Sequence, residues 1–505
     1  MQEILLKSID KNIETIEKLF ANCYDIIIRK IEVGDINRVK MAAIYIDGLA
    51  DKDHISKFTI GYLFAEEELK KFTLKGFQNS LLEIVSKEVI ANTEVKEEYK
   101  MEKIVNAILS GDTVLLIDNI DRCLIIGSRG WPSRSIGEPE TETVIRGPRE
   151  GFTEVLKVNT TLVRRRIKDT NLKIEVKQIG RRSKTDVAIL YMDDIVNKAI
   201  LIELKERLNK INIDSIADSS VLESFIEDNF LSPFPQIEST ERPDAVAASL
   251  YSGRIAIIVD NSPFALLLPA TFGTLLQSSE DHYSRWAEVS FIRLLRLIAV
   301  ALTVLSPSLY VAITAYHPGL LPTVLTYYLA ASRINVPFPA VVEAALMELT
   351  LELLRESGTR ISGPIGTTVG IVGGLIIGQA AVEAGIVSPL MIIIVAVTTI
   401  SSFAIPNYDF GVGFRLWRFI LIACASILGL YGIMLGIIVL ITHLIRLNSF
   451  GVPYTSPYSG LDIDGGALRD TLIKAPAQYL RKRPAFTNPQ NKIRMRGYWK
   501  DGRRK

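Results

Sequence analysis

Four glycines, Gly366, Gly370, Gly374 and Gly378, recur every fourth residue inside an almost uncharged stretch. On a helix of about 100° per residue they drift only about 40° per step, so they form one narrow stripe that lets another helix approach closely. Thr368, Val372, Ile376, Gln379 and Glu383 fall on the opposite side of the same helix. Lipid would reject Gln379 and Glu383, whereas a water-filled lumen or an interface would accept them. This pattern suits a pore. Val372 and Ile376 would form an apolar constriction that gates by dewetting, and Glu383 an acidic ring that attracts monovalent cations. The plainer alternative is that Glu383 snorkels from a helix end and the glycines only pack.

A second segment, 337–357, opens with Pro337 and Pro339, which suit a helix start. Glu348, Glu352 and Arg355 share one face, with Glu343 roughly 140° away from Glu348. A helix carrying this many acids is a poor lipid-facing span. It could line a vestibule, meet a partner's cations or lie along the interface, or Arg355 and Glu352 could simply close a solvated face. His317, His443 and Cys424 are isolated. A lone turn histidine and a small thiol in an apolar run carry little functional signal.

The surrounding chain must supply a membrane for such a pore. Of 505 residues, 48% are hydrophobic and 23% charged, and mean hydropathy is +0.24. The charges are segregated. Leu297 to Ser332 has none, Ile361 to Tyr408 has only Glu383, and Phe419 to Ile445 has none. A helical span takes about 20 apolar residues. The first stretch holds one span and a shorter return leg broken at Pro318 and Pro322. The second holds two spans meeting near Glu383 to Pro389. The third could fold into a hairpin at Gly429, Gly432 and Gly436. Four to six membrane segments are expected over 286–447, packing against lipid.

Residues 1–135 and 136–285 read as two α/β subdomains, and 448–505 as a basic tail with ten Lys/Arg from Arg481 onward. Residues 1–35 carry helical spacing. Strands are expected at 41–47, 113–117, 123–127, 173–179, 186–192 and 255–259, with helices near 151–167, 194–209 and 215–228. The basic flanks place both ends on the cytoplasmic side. The N-terminus lacks the apolar core of a signal peptide. The net charge of +2 predicts no nucleic-acid partner, and three distant cysteines predict no disulfide framework. No phosphate-binding loop, dinucleotide fingerprint or HExxH occurs in the soluble half, so neither enzymatic chemistry, a cofactor nor a metal is expected. Arg164, Arg165, Arg166, Arg181 and Arg182 could meet anionic lipid or a partner's acidic face but read more simply as a solvated helix face, and Asp118, Asp121, Asp193 and Asp194 could hold a catalytic pair but read more simply as turn caps.

Several long segments together are recognisable: GSRGWPSRSIGEPETETVIRGPREGFTE (127–154), NTTLVRRRI (159–167), ESTERPDAVAASLYSGRIAIIVDNSPFALLLPATF (238–272), NVPFPAVVEAALMELTLELLRESGTR (335–360) and GPIGTTVGIVGGLIIGQAAVEAGIVSP (363–389). The chain resembles the A subunit of the spore germinant receptors over most of its length. The resemblance implies a subunit in the inner membrane of a dormant bacterial spore. Its implied partners are a transporter-like B subunit that binds nutrient and a lipoprotein C subunit. It also implies an oligomer, a pentamer in that family, that releases monovalent cations on a nutrient signal. A paralogue that lacks its own nutrient-binding partner fits the same motifs. A secondary transporter fits less well, because no internal repeat relates 290–357 to 364–446. A scaffold coupling a cytoplasmic sensor to a separate channel would account for the large soluble half.

Overall fold

The computed structural model describes residues 4–33, 39–52, 55, 95–131, 137–139, 141–360, 374, 377–459, 468–495, 499–500 and 503–504. The chain divides into two units. One comprises Met1–Glu227, Ser239–Pro269 and Lys482–Arg496; the other comprises Asp228–Glu238, Ala270–Arg481 and Gly497–Lys505.

The first unit opens with helix α1 (Ile9–Leu19), which buries Ile9, Ile13 and Ile16 at helical spacing. The helical pattern expected to continue to residue 35 stops there. Asn22 adopts a left-handed φ of 62°, and IIIRKIEV forms strand β1 (Ile26–Val33). Three consecutive isoleucines favour a pleated strand, and the ladder to β2 (Val39–Ile46) supplies the partner that local periodicity could not reveal. Strand β3 (Val95–Glu98), helix α2 (Met101–Leu109), β4 (Thr113–Ile117) and β5 (Cys123–Ile126) complete the first layer. Its strand order is β1-β2-β4-β5-β3, with every neighbouring pair antiparallel. Alternate residues of β2 and β4 feed two clusters, one of them against α1 and α2. Both faces are therefore covered, which is why MAAIYI and TVLLI are continuous apolar runs rather than alternating ones.

The second layer holds α3 (Leu156–Arg166), β6 (Leu172–Ile179), β7 (Thr185–Met192), α4 (Lys198–Lys210), α5 (Ser219–Ile226), β8 (Glu238–Thr240), α6 (Pro243–Tyr251), β9 (Ile255–Val259) and β10 (Ala265–Leu268). The sheet order is β6-β7-β9-β10-β8, and α3 and α6 cover one face through Leu162, Val163, Val246 and Leu250. Strands and helices mix as α/β organisation requires, yet the β6-β7, β7-β9 and β9-β10 ladders are antiparallel hairpin or return pairings.

The two layers meet at the open edge of β6. Tyr24 N–H donates to the Ile174 carbonyl at 3.0 Å, and Ile174 N–H donates to Asn22 at 3.2 Å. Beside this seam the fully buried Arg164 donates two hydrogen bonds to Asp25, at 2.8 and 3.0 Å, and a third to the Leu172 carbonyl. The solvated arginine face expected from sequence is thus only partly real. Arg164 is interior, Arg165 and Arg166 grip Glu150, and only Arg181 and Arg182 are exposed, beside Asp214. Asp118 caps α1 by accepting Ile9 N–H at 3.2 Å. Part of the basic tail packs on this layer: Gln490 N–H donates to Ile195 at 2.9 Å and Thr487 Oγ1 to Ser252 at 3.0 Å. Burial raises the Cys23 thiol and pushes the Cys123 thiol up to about 12. Both should therefore resist iodoacetamide at pH 8 until denaturant is added, as read by mass spectrometry.

The second unit is helical. Helices α7 (Trp286–Ala315), α8 (Thr323–Ser332), α9 (Ala340–Arg360), α10 (Pro389–Phe403) and α11 (Tyr408–Arg446) follow one another. Among the described residues, α7 and α11 are long and apolar enough to cross a membrane, and α10 is a shorter apolar helix. The 39-residue α11 doubles back at Gly429, whose φ of 60° and ψ of −137° break the helix. The legs then run side by side. Trp417 and His443 rings lie 6.1 Å apart, and a Cβ on Gly432 would sit 2.1 Å from the Cys424 carbonyl oxygen.

Arg164 cannot lose Asp25 without stranding a buried guanidinium. Asp25→Ala should destabilise the first unit by roughly 3–5 kcal/mol in urea unfolding followed by circular dichroism, far more than Asp214→Ala at the exposed pair.

Candidate functional site

Helix α9 carries the chemistry of the helical unit. Pro339 precedes it, and Glu343 N–H donates to the Pro339 carbonyl at 3.1 Å in the first turn. The Glu343 carboxylate is buried. It accepts Ser388 N–H at 3.1 Å and Ser388 Oγ–H at 3.0 Å, and it lies 3.0 Å from an Arg333 guanidinium nitrogen. Ser388 Oγ is also 2.8 Å from the Tyr310 hydroxyl. One carboxylate therefore ties α7, the residue after α8, α9 and the N-cap of α10 together.

A turn and more further along, Glu348 is fully buried and Arg418 of α11 approaches it at 2.8 Å. Arg418 also donates to Glu352 at 3.1 Å. Glu352 receives Arg355 at 3.2 Å and stands 3.8 Å from Arg415. Arg355 further donates to Ser402 Oγ at 3.0 Å and lies over the Phe403 ring, 5.2 Å from its centroid. Three guanidiniums thus converge on two carboxylates inside an apolar bundle. Neither oxygen of Glu348 has a hydrogen bond of good geometry, and Arg418 Nε has none either. Attraction holds this cluster together while its hydrogen bonding stays incomplete, the kind of buried charge that exacts the most when one partner is removed.

The expected face of Glu348, Glu352 and Arg355 is therefore occupied from within the chain, and Glu343 serves a separate set of partners. Sequence reasoning missed Arg415, Arg418, Arg333, Ser388 and Tyr310. The i, i+3 arginines in FGVGFRLWRF were the available signal: charges at the mouth of an apolar run seek a partner inside the bundle.

The proposed pore helix is described only in part. Thr368, Val372 and Ile376, with Gly366 and Gly370, lie outside the described residues. Gln379 and Glu383 are exposed, and Gln379 Nε2 donates to Glu383 at 2.9 Å, one turn apart. Gly385, with a φ of 65°, ends this helix directly after them. Gly378 faces Ile392 of α10 at 3.8 Å from its missing Cβ, whereas among the described residues Gly374 meets no other atom within 4 Å. Among the described residues no group of His, Cys, Asp and Glu could hold a metal ion.

A stability test follows from the shared arginine. Arg418→Leu should cost roughly 3–5 kcal/mol by leaving the buried Glu348 without its partner, and adding Glu348→Leu should recover most of that loss in thermal unfolding of the detergent-solubilised chain.

Comparison with known proteins places these features in a family. A family described as Bacillus/Clostridium GerA spore germination protein matches residues 14–486. The chain is 42% identical to "Spore germination protein KA" of Bacillus subtilis (strain 168) over 491 residues, 97% of this chain and 89% of that protein. It is 42% identical to "Spore germination protein GerLA" of Bacillus cereus over 462 residues, 92% of each. The crystal structure of the N-terminal domain of the A subunit of the Bacillus megaterium spore germinant receptor GerK3 is 33% identical, with a TM-score of 0.43, covering 53% of this chain and 97% of that one. With the family match running through both units and the relatives aligned almost end to end, this chain belongs to the GerA family of spore germination proteins.

Proposed function

We propose that this chain is the membrane subunit of a nutrient-germinant receptor and oligomerises into a nutrient-gated channel for monovalent cations. The observation that carries the reading is the stretch 361–408, where Glu383 is the only charge and lies on the face opposite the glycine stripe. In the folded chain Glu383 is exposed and bonded only to Gln379 among the contacts described, while Glu343, Glu348 and Glu352 of α9 are committed to internal arginines. An acidic group left at a helix end near a lumen is what a cation mouth requires.

In this reading the membrane domain has four to six segments in the inner spore membrane, with both ends cytoplasmic. A ring of copies, a pentamer by analogy, surrounds the pore. A nutrient-binding B subunit and a lipoprotein C subunit complete the receptor. Nutrient shifts a closed–open equilibrium only through different affinity for the two states. The Glu343 and Glu348–Arg418–Glu352 contacts couple α9 to α7, α10 and α11, so movement of α9 reaches every neighbouring helix. A paralogue without its own nutrient-binding partner would use the same channel.

The test is cation release from spores carrying single substitutions. Val372→Ala should leak potassium without nutrient or lower the nutrient threshold, and Glu383→Gln should slow nutrient-triggered release. Wild-type release from both, at normal protein levels and normal assembly, would exclude 364–384 as the pore helix.

A further inference from the structure

The segment Asp228–Glu238 is a short loop built onto the end of the helical hairpin. Asn229 N–H donates to Gln236 Oε1 at 2.9 Å, and Gln236 Nε2 donates back to the Asn229 carbonyl at 2.8 Å. Leu231 N–H donates to Asn229 Oδ1 at 3.1 Å, and Ser232 N–H to the Asn229 carbonyl at 3.2 Å. The base of the loop is held by the strand-like segment after α11: Phe450 N–H donates to Asp228 at 2.7 Å and Ser449 Oγ to the Gln236 carbonyl at 2.7 Å.

One side chain of the loop anchors it in the hairpin. Phe234 is buried 5.1 Å from the Phe414 ring and 6.0 Å from His443, and it fills the space that a Cβ on Gly413 would need. Ser232 Oγ lies 3.0 Å from His443 Nε2. Phe234 shares its cluster with Val300 and Val304 of α7 and Leu440 and Leu444 of α11. The loop therefore sits where the first leg of α11 begins and its second leg ends, close to the exposed Arg446.

Its tip points the other way in chemistry. Phe230 and Leu231 are 76% and 80% exposed, although backbone bonds on both sides fix them. A soluble surface gains nothing by holding two large apolar side chains in water. The same end of the bundle carries a belt of exposed apolar residues on the spans themselves, Leu294, Leu295 and Ile298 on α7 and Ile441 and Ile445 on α11. Such a belt on a span is a lipid face, and the loop continues it to the level where charge begins.

We infer that Phe230 and Leu231 form a rigid tip that inserts into the headgroup–acyl boundary of the bilayer and fixes the depth of the α11 hairpin, a partner surface made of lipid rather than protein. The inference rests on the membrane reading of α7 and α11. Aromatic and aliphatic side chains at that depth bury apolar area without needing to cross the membrane.

The test places a nitroxide label on the full chain, reconstituted in vesicles of phosphatidylethanolamine and phosphatidylglycerol. Cys424→Ala removes the partly exposed thiol; Cys23 and Cys123 are buried. Phe230→Cys and Leu231→Cys are compared with Ile438→Cys on the exposed side of α11 and Lys210→Cys in water. Power saturation with oxygen and a water-soluble nickel chelate reads the surroundings. The inference expects 230 and 231 to favour oxygen over nickel as 438 does. Labels at 230 and 231 that behave like 210, with 438 in lipid, overturn it. So do labels shielded from both reagents with spin–spin broadening, which would mean that a second copy covers the tip. Nickel access at 438 as well would instead sink the membrane reading from which the inference starts.

Discussion

A guanidinium carried into an apolar helix bundle has to be neutralised where it stands, because no water is there to do it. Arg418 sets that condition for the helical unit. It draws Glu348 and Glu352 of α9 onto α11, and Glu352 in turn collects Arg355 and Arg415. The position of α9, which is too acidic to face lipid, follows from this demand. Once α9 is held there, Glu343 reaches Ser388 and Arg333, which fixes the start of α10. Apolar packing fills the remaining space but has no directional preference of its own. The charges choose the register in which the helices meet.

The first unit uses the same device once. Its two sheets each bury a conventional apolar core, and either core would be satisfied by several relative placements. The Asp25–Arg164 pair and the backbone bonds between 22–24 and Ile174 select one. A buried ion pair contributes little net stability compared with apolar side chains of equal size. Its value lies in what its absence would cost at any other placement.

Membership of the GerA family gives these interactions a context in spore germination, and the helical unit is where a membrane would be crossed. The α9 network consumes the acidic groups that first look available for ions. Among the described residues of its stretch, Gln379 and Glu383 form an exposed polar pair. Distinguishing internal charges from available ones requires knowing the partner of each, and partners such as Arg418 are some seventy residues away from the carboxylates they meet.

Sequence by itself determined the segregation of charged and apolar chain, the strands TVLLI and IAIIV, a helix over 337–357 (found three residues further on, at Ala340–Arg360), the turn in the last apolar stretch and the family. Each of these is written in local periodicity, in composition or in a long contiguous motif. It misread IIIRKI as helix, because apolar residues near both spacings fit either period and only the ladder to β2 decides between them. It also took Arg164 for a surface residue. Tertiary structure alone decided which charges are interior, that the ladders run antiparallel, that α9 faces α11, and that Phe234 is anchored while Phe230 and Leu231 stay exposed. The physical reason is the same in every case. Burial and pairing depend on residues that are distant in sequence, and a local pattern records what a segment prefers without recording what it will meet.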